Sequence, residues 1–438
     1  MPTEGPPTAP LGSELPEGVR FVGREPGALA TWRPGDHPSD ADLNDCVACG
    51  LCLPHCPTYR LTGEESASPR GRIAAMRAVA DGVGEVDATF GSFMDLCLVC
   101  RACEDVCPSH VAFGRMMERA RVQIEPDRTR MQRLGRWLGL DVALPHKKLL
   151  WLAALLQPVA RPFLPRRVRA ITPRPTSLFR RLPATTEPPA GTEVRGTVGV
   201  LSGCVQDRWF RDVNEATIRV LIRNGWRVTV PKAQVCCGAL QAHNGRLDTA
   251  RRLARRNADA FAGVDHVIVN AAGCGAHMKE AGDLVEGAGI PVRDLMEFLF
   301  DEGLTDEPTA GAGVDRVAYH DACHALRAQA IHEQPRDLLR RIPGIEVVEI
   351  EHGDRCCGAA GLYNVTEPEM AGRLRREKSE AIAATGATVI ASANPGCTMQ
   401  LRAGLAELDV DAEVVHPVQL LDRAYRASAG SATDPHRS

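Results

Sequence analysis

The stretches CVACGLCLPHCP at residues 46–57 and CLVCRACEDVCP at residues 97–108 determine how the first part of the chain folds. Both follow the pattern Cys-x2-Cys-x2-Cys-x3-Cys-Pro, and together they use eight of the 16 cysteines. This spacing is typical of paired [4Fe-4S] clusters, because three close thiolates wrap one cubane while the fourth binds the cluster held by the other run. The two runs are therefore predicted to fold together and to transfer electrons.

Because the fourth cysteine of each run binds the cluster of the other run, the ligands of each cluster can be assigned. The predicted ligands are Cys46, Cys49, Cys52 and Cys107 for cluster 1, and Cys97, Cys100, Cys103 and Cys56 for cluster 2. Structural zinc usually takes two separated pairs of Cys or His, so a repeated triplet followed by Cys-Pro is unusual for zinc. Disulfides need an oxidising compartment, and residues 1–50 lack the basic segment and apolar stretch of a secretory signal. We therefore expect a reduced, cytoplasmic setting.

Length and composition limit the classes of protein. A chain of 438 residues is long enough for about three domains. With 52 basic against 55 acidic residues the net charge is −3, and aromatic residues make up 4%. The chain therefore has neither the basic field nor the stacking surface that favours nucleic acid as a partner.

The sequence predicts a division into six segments. Residues 1–40 are rich in Pro, Gly and Glu and are predicted to be a flexible arm. A mainly helical, ferredoxin-like domain with two [4Fe-4S] clusters is predicted at 41–125, with helices at Ile73–Val79 and Phe113–Ile124. A basic and apolar helical connector follows at 126–195. Two cysteine-rich repeats are predicted at 196–311 and 312–425, and a flexible tail at 426–438.

The connector is basic, and its apolar run Leu149–Leu156 is too short to span a bilayer. No acidic residue occurs between Val142 and Thr186. Such a segment can lie on an anionic membrane surface or dock on a partner subunit, or it can simply pack on the domains of its own chain. The basic residues are Lys147, Lys148, Arg161, Arg166, Arg167, Arg169, Arg174, Arg180 and Arg181.

The other eight cysteines form a duplicated pattern. Each copy has one cysteine, then Cys-Cys-Gly, then a last cysteine, and the offsets between the copies are 119, 120 and 123 residues. The first copy has Cys204, Cys236, Cys237 and Cys274, and the second has Cys323, Cys356, Cys357 and Cys397.

Strands and helices are predicted to alternate in both copies, which indicates an α/β fold with a parallel sheet. Helix Asn214–Asn224, closed by Gly225, has the clearest pattern. Each strand ends shortly before a cysteine, so the four cysteines of a copy are expected at one rim of the sheet. The predicted strands are Thr197–Leu201, Val228–Val230 and His266–Asn270 in the first copy, and Arg316–His320, Ile345–Ile350 and Thr388–Ala393 in the second.

The chemistry of these rims stays open between a further iron-sulfur cluster, a zinc site and thiol redox chemistry. One copy with the fold but no ligand is a further alternative. His277 and His324 lie near the cysteines in sequence, but a lone histidine in such a place is more often a hydrogen-bonding residue than a ligand.

These motifs together resemble the iron-sulfur subunit of bacterial glycolate oxidase over roughly residues 41–424. The resemblance includes shorter stretches, namely Cys56-Pro57-Thr58-Tyr59, Pro69-Arg70-Gly71-Arg72-Ile73, Arg161-Pro162-Phe163-Leu164-Pro165, Gly273-Cys274-Gly275-Ala276 and Asn394-Pro395-Gly396-Cys397. It implies an electron carrier whose FAD-containing partner subunits oxidise glycolate to glyoxylate. The electrons would pass to membrane quinone at the inner face of the cell membrane. Neither copy opens with a Gly-x-Gly-x-x-Gly fingerprint, so no dinucleotide site of that type is expected in this chain.

The repeats also resemble those of heterodisulfide reductase, where the last cysteine begins a Cys-x2-Cys pair. Here His277 follows Cys274 and Gln400 follows Cys397 at that position, so a five-cysteine cluster cannot be transferred. The alternatives are a catalytic thiol-disulfide oxidoreductase, the iron-sulfur subunit of a D-lactate or glycerol-3-phosphate dehydrogenase, and a zinc-binding scaffold.

Overall fold

The computed structural model describes residues 32–176 and 178–432, and its first domain is a small helical bundle. Helix α3 begins at Pro69, four residues before its predicted start, because the Ser68 hydroxyl accepts from the Gly71 N–H at 2.9 Å and proline suits the first turn. Helix α6 has the predicted bounds. The helices are α1 Asp40–Asn44, α2 Pro57–Thr62, α3 Pro69–Ala80, α4 Ala88–Asp95, α5 Ala102–Asp105 and α6 Phe113–Ile124, with 3-10 turns at Glu65–Ala67 and Glu125–Asp127.

The end of the predicted arm is packed onto this domain. Trp32 lies against the helical core with its ring 6.0 Å from that of Phe90. The Arg33 guanidinium donates to the Asp127 carboxylate at 2.7 and 2.8 Å, and its backbone N–H donates to Gln123. Residues 32–40 therefore differ from the expected flexible arm because they have specific polar partners. Residues 1–31 of the predicted arm lie outside the described residues.

The connector is helical, and its last part joins the first sheet. Helices α7 Arg130–Arg136, α8 Lys147–Ala160 and α9 Arg166–Ile171 are separated by a π-helix at Trp137–Ala143 and a 3-10 turn at Arg161–Phe163. Strand β1, Thr185–Thr186, pairs antiparallel with the strand at Trp226–Thr229. Within the described residues no helix is both long and apolar enough to cross a membrane.

The first cysteine-rich repeat is a parallel sheet with helices on its faces, as predicted. Its strands have the order β3-β2-β4-β5, and β1 extends the edge beside β3. The elements are β2 Gly196–Val200, α10 Val205–Trp209, α11 Arg211–Arg223, β3 Trp226–Thr229, α12 Ala239–His243, α13 Leu247–Ala260, β4 His266–Val269, α14 Ala272–Lys279, α15 Ala281–Leu284, β5 Val292–Asp294 and α16 Leu295–Glu302.

The second repeat has the same topology, with the parallel order β7-β6-β8-β9. The duplication predicted from the cysteine spacing is therefore a duplication of fold. The elements are β6 Arg316–His320, α17 Cys323–Gln329, α18 Glu333–Arg340, β7 Glu346–Val348, α19 Tyr363–Thr366, α20 Pro368–Ala384, β8 Val389–Ser392, α21 Pro395–Glu407, β9 Glu413–Val415 and α22 Pro417–Ala432.

The two repeats share one hydrophobic core. Side chains from both sheets, among them Val198 and Tyr319, belong to a single buried cluster. The Arg219 guanidinium of the first repeat donates to the Asp422 carboxylate of the second at 2.7 and 2.8 Å. Helix α22 continues through Ala432, past the predicted start of the tail at 426, and residues 433–438 lie outside the described residues.

Candidate iron-sulfur and thiol sites

The two cysteine runs of the helical domain line two adjoining cavities. Cys103 lines both cavities, so the two sites share a wall. Each cavity takes three cysteines from one run and the Cys-Pro cysteine from the other. The first is lined by Cys46, Cys49, Cys52 and Cys107 in addition to the shared Cys103, and the second by Cys97, Cys100, Cys103 and Cys56. Four thiols around one cavity are the donor set of a [4Fe-4S] cluster, so the residues fit that group.

The loops that carry these thiols have the same unusual backbone conformation in both runs. Ala48 and Gly50 have φ of 55° and 84°, and the equivalent Val99 and Arg101 have φ of 52° and 61°. A left-handed conformation is costly for β-branched valine, so the surroundings must impose it. The Val99 N–H donates to the Cys97 sulfur at 3.3 Å, and the loop therefore directs a backbone donor at a ligand atom.

Two guanidinium groups are buried beside the second cavity. Arg72, 1% exposed, donates to the Phe93 carbonyl at 2.7 Å and to the Thr58 hydroxyl at 3.2 Å. Arg121 donates to the carbonyls of Met94 at 2.9 Å and Cys97 at 2.5 Å, and burial lowers its pKa. Neither arginine has a carboxylate partner among the described residues. Buried cations without a carboxylate imply another source of negative charge, which four ligating thiolates would provide.

In the first repeat the four cysteines meet at the sheet rim. Cys204 follows β2, Cys236 and Cys237 follow β3, and Cys274 lies in α14. The Cys204 and Cys236 sulfurs are 3.6 Å apart, and those of Cys237 and Cys274 are 3.1 Å apart. The Cys236 thiol, followed by burial, raises the pKa of Cys204 well above its usual range. Such thiols are protonated at neutral pH unless a metal displaces the protons.

The second repeat repeats this arrangement. Cys323 contacts Cys356, and Cys357 contacts both Cys356 and Cys397. The Cys356 thiol and then burial raise the pKa of Cys323 in the same way. Each rim thus has four neighbouring thiols.

His277, which is buried, and His324, which is half-buried, belong to a group of three histidines between the domains. The His243 ring stacks on that of His324 with centroids 5.3 Å apart, and it lies 6.4 Å from that of His277. His243 Nδ1 is 2.7 Å from the Glu118 carboxylate of the helical domain. Burial lowers the pKa of His277 to about 4, so this imidazole is neutral near pH 7. His243 was not predicted, because nothing in its sequence neighbourhood distinguishes it.

His320 is a second residue that the sequence did not predict. It ends strand β6, and its donor atom lies within 4.8 Å of the sulfurs of Cys357 and Cys397. Both of its ring nitrogens are buried and lack a hydrogen-bond partner in the described part of the chain. Burial lowers its pKa well below the usual range, so the imidazole is neutral.

The second repeat adjoins the helical domain at these thiols. Cys100 packs in one cluster with Cys356, and Cys323 lies against the same cluster. A cleft of about 180 Å³ opens there, and its lining includes Arg60, Arg327 and these three cysteines. The two repeats also meet at their last-cysteine loops, where the Ala272 N–H donates to the Ala393 carbonyl at 3.0 Å.

These features define an iron-sulfur protein with a dicluster domain and two cysteine-rich domains. Residues 42–111 match the family model of the 4Fe-4S dicluster domain, and residues 198–279 and 317–402 each match that of the cysteine-rich domain.

Comparison with curated proteins gives the family. The chain is 36% identical over 417 residues to the probable glycolate oxidase iron-sulfur subunit of Bacillus subtilis, covering 87% of this chain and 94% of the relative. It is 33% identical to the glycolate oxidase iron-sulfur subunit of Escherichia coli K12, covering 83% and 90% of the two chains. It is also 29% identical to one subunit of the fumarate reductase (CoM/CoB) of Methanothermobacter marburgensis, covering 94% and 79%. The chain belongs to the family of glycolate oxidase iron-sulfur subunits.

Proposed function

We propose that this chain is the electron-transfer subunit of a flavin-dependent glycolate dehydrogenase complex. FAD-containing partner subunits oxidise glycolate, or a related 2-hydroxy acid, to glyoxylate, and this chain conducts the electrons toward membrane quinone. The observation that carries the proposal is the pair of adjoining cavities, each lined by at least four cysteines drawn from both cysteine runs. When bound there, [4Fe-4S] clusters supply one-electron transfer.

The residues of this chain would hold the two clusters and compensate their charge. Cys46, Cys49, Cys52 and Cys107 are proposed to hold cluster 1, and Cys97, Cys100, Cys103 and Cys56 to hold cluster 2. Arg72 and Arg121 place positive charge beside the second site, which favours an additional electron there. The Val99 N–H is directed at the Cys97 sulfur and likewise favours an additional electron at the second site.

The Cys49→Ser variant tests the proposal. In the complex with its flavoprotein partners, we expect it to abolish electron flow from glycolate to quinone and to leave dye-linked glycolate oxidation by the flavoprotein largely intact. Val83→Ser, at an exposed site in the same domain, is the control and should retain both activities. Loss of dye-linked activity in an intact Cys49→Ser complex would reject the relay.

We propose in addition that the eight cysteines of the repeats bind metal without forming cubane clusters. In the first repeat the sulfurs of Cys237 and Cys274 are 3.1 Å apart and those of Cys204 and Cys236 are 3.6 Å apart. In a cubane each thiolate binds a different iron, which holds the sulfurs further apart. No thiol-thiol hydrogen bond occurs among the eight cysteines of the two ferredoxin-type runs, all of which lie in the described chain.

The connector is proposed to contact the anionic inner surface of the cell membrane. Its helix α8 and the following turn expose five large apolar side chains at alternating steps of three and four residues, so that they form one stripe. Basic residues without an acidic one between 142 and 186 give the charge that anionic lipid attracts. The stripe is Leu149, Leu152, Leu156, Val159 and Phe163, between 41% and 86% exposed.

Vesicle sedimentation tests this contact. The chain should bind vesicles of phosphatidylglycerol and phosphatidylcholine more strongly than vesicles of phosphatidylcholine alone, and Leu156→Glu should weaken this binding. Val365→Glu, which changes an exposed apolar residue outside the connector, is the matched control. Equal binding to both vesicle types, or no effect of Leu156→Glu, would instead favour a partner subunit on this stripe.

The cleft beside Cys100 favours a second candidate, a thiol-disulfide oxidoreductase that works at Cys323 and Cys356. These thiols line an open cleft together with arginine side chains, an arrangement that suits an anionic disulfide. Reduction of one disulfide would consume two electrons and two protons and yield two thiols. Turnover of a small anionic disulfide by the purified chain with a reduced viologen would support this candidate, and no turnover would exclude it.

A further inference from the structure

We propose that the second repeat holds one mononuclear zinc-type ion with His320, Cys357 and Cys397 as its ligands. This inference rests on the proposal that the repeats bind metal, and it names the ion, its ligands and the repeat. His320 contributes an imidazole to what the sequence presents as an all-cysteine site.

The geometry of the donor atoms carries the inference. One ring nitrogen of His320 and the sulfurs of Cys357 and Cys397 all lie within 4.8 Å of one another. Zinc binds cysteine sulfur at roughly 2.3 Å and histidine nitrogen at roughly 2.0–2.1 Å, so donors around a single tetrahedral ion must lie this close together. The Cys356 sulfur does not belong to this group of mutually close donors, so the three ligands leave one coordination position of the ion open, as in zinc sites with three protein ligands.

His320 also needs a partner that the described protein atoms do not supply. The residue is 1% exposed, and neither ring nitrogen has a hydrogen-bond partner within the described residues. A buried imidazole without partners is costly, and a metal bond to one nitrogen removes part of that cost. Ser392, opposite His320 in the β6–β8 register, has a buried hydroxyl that also lacks a partner, so a group able to orient the other nitrogen lies nearby.

The charge around the site points the same way. Lys378 is 2% exposed and donates to the carbonyls of His352 and Gly353 at 2.9 and 3.0 Å. It has no carboxylate within ion-pair distance among the described residues, and Cys357 and Cys356 stabilise its charge more than Asp354 and Asp321 do. A positive charge beside the site favours thiolate ligands over neutral thiols.

The first repeat lacks both the histidine and the buried lysine of this site. The residue equivalent to His320 is Leu201, three positions before the first cysteine in each repeat. The Cys-Cys segment there is held by the neutral Asn257, whose amide contacts the backbone of Val235 at 2.9 Å and Cys236 at 3.0 Å. The two rims therefore differ in ligand set and charge, and the imidazole site belongs to the second repeat.

The His320→Leu variant tests the assignment, since leucine occupies the equivalent place in the first repeat. Zinc and iron would be measured by mass spectrometry on anaerobically purified full-length protein. We expect about one zinc ion per native chain, or more, and one zinc ion fewer per chain in His320→Leu. The iron content and the EPR signals of the variant should equal those of the native protein. His416→Asn, which changes another buried histidine of the same repeat, should keep all of its zinc.

Zinc-edge X-ray absorption on the native protein gives a readout that does not depend on folding of the variant. Sulfur scatterers with an imidazole contribution that diminishes in His320→Leu are expected. A native chain without zinc, a zinc content that His320→Leu does not change, or short iron-iron scattering traced to the second repeat would overturn the assignment. None of these outcomes bears on the relay through the first domain, because Cys49→Ser tests that separately and should keep its zinc.

Discussion

Among the single residues, Arg121 shows how a side chain without a carboxylate partner can reveal a missing charge. Its guanidinium donates to backbone carbonyls of Met94, Cys97 and His243, and thereby ties the second cysteine run to α6 and to the first repeat. A buried cation in such a position stabilises negative charge on the neighbouring thiolates.

Arg121→Met is expected to lower the reduction potential of the second cluster by roughly 60–130 mV. This range corresponds to the roughly 1.5–3 kcal/mol that a hydrogen bond from a charged group contributes, converted for one electron. EPR-monitored redox titration measures the shift. Arg119→Met, on the same helix but paired with Asp42, is the control and should leave the potential unchanged. Equal potentials in Arg121→Met and the native protein would contradict this role.

The cysteines could be predicted from the sequence, because their spacing itself encodes the geometry of the sites. Arg121, Lys378 and His320 could not, because their importance depends on burial and on what faces them across the fold. His320 is the clearest case, since a histidine at the end of a buried strand has no local pattern that separates a ligand from a core residue. His277 and His324 stand out in the sequence only because they follow cysteines in the chain.

Among the secondary structure elements, α3 and its motif Pro69-Arg70-Gly71-Arg72-Ile73 can be explained residue by residue. Pro69 begins α3, and Arg72 reaches the second cavity. A Cβ atom on Gly71 would lie 2.0 Å from the Glu65 carbonyl oxygen, so the close approach of the preceding turn to α3 requires glycine.

Gly71→Ala is expected to lower the stability of the first domain by about 1–3 kcal/mol, because backbone atoms cannot rotate away from the added methyl group. Gly135→Ala is the matched control, since Gly135 is also helical but has no atom within 4 Å of the added position. The control should be neutral or stabilising, because alanine is the better helix former. Thermal unfolding of both variants under anaerobic conditions decides the comparison, and similar midpoints would contradict it.

The start of helix α22 makes a pH-dependent contribution to stability. His416 Nδ1 accepts from the Val418 N–H at 3.1 Å, and burial lowers the pKa of His416 to about 3. The unfolded chain binds a proton at this histidine near pH 6.5 whereas the folded chain does not, so folding loses stability as pH falls from 6.5 toward 3.

His416→Asn should remove this loss while keeping an acceptor for the Val418 N–H. Between pH 7.5 and 5.5 the native protein should lose about 1.4 kcal/mol more unfolding free energy than the variant. Urea unfolding at the two pH values measures the difference. Parallel losses in the two proteins would show that His416 is protonated in the folded state.

The element types were predicted more reliably than their ends. Strand β6 has the predicted bounds Arg316–His320, whereas the strand predicted at Ile345–Ile350 is reduced to Glu346–Val348. The apolar residues at both ends of the prediction serve the core instead, since Ile345 packs against one cluster and Ile350 is buried in another. The hydrophobic pattern of a sequence indicates which residues are buried. Buried residues continue beyond those that make the hydrogen bonds between neighbouring strands.

In the molecule taken as a whole, the thiol sites form a connected series. The two cavities of the helical domain share Cys103, and Cys100 of the second cavity packs with the thiols of the second repeat. The two repeats then meet at their last-cysteine loops. The second thiol cavity of the helical domain is therefore next to the thiols of the second repeat. The first repeat contacts the helical domain at the Glu118–His243 pair.

The sequence predicted the duplication but not this order. Both repeats have the same cysteine pattern, so nothing local indicates which of them places its thiols against the cluster domain. The choice is made by contacts between distant segments, such as the Tyr363 hydroxyl donating to the Leu96 carbonyl at 3.0 Å. Contacts of this kind arise from the complete fold and cannot be recognised from the hydrophobic periodicity or the cysteine spacing of the sequence.

The proposed relay depends on two [4Fe-4S] clusters in this chain, both in its helical domain. Iron and acid-labile sulfide per chain, measured on anaerobically purified protein together with EPR of the reduced state, test this cluster content. We expect about eight irons and eight sulfides per native chain and two reducible clusters. About twelve to sixteen irons would place further clusters at the rims of the repeats and would contradict the assignment of both clusters to the helical domain.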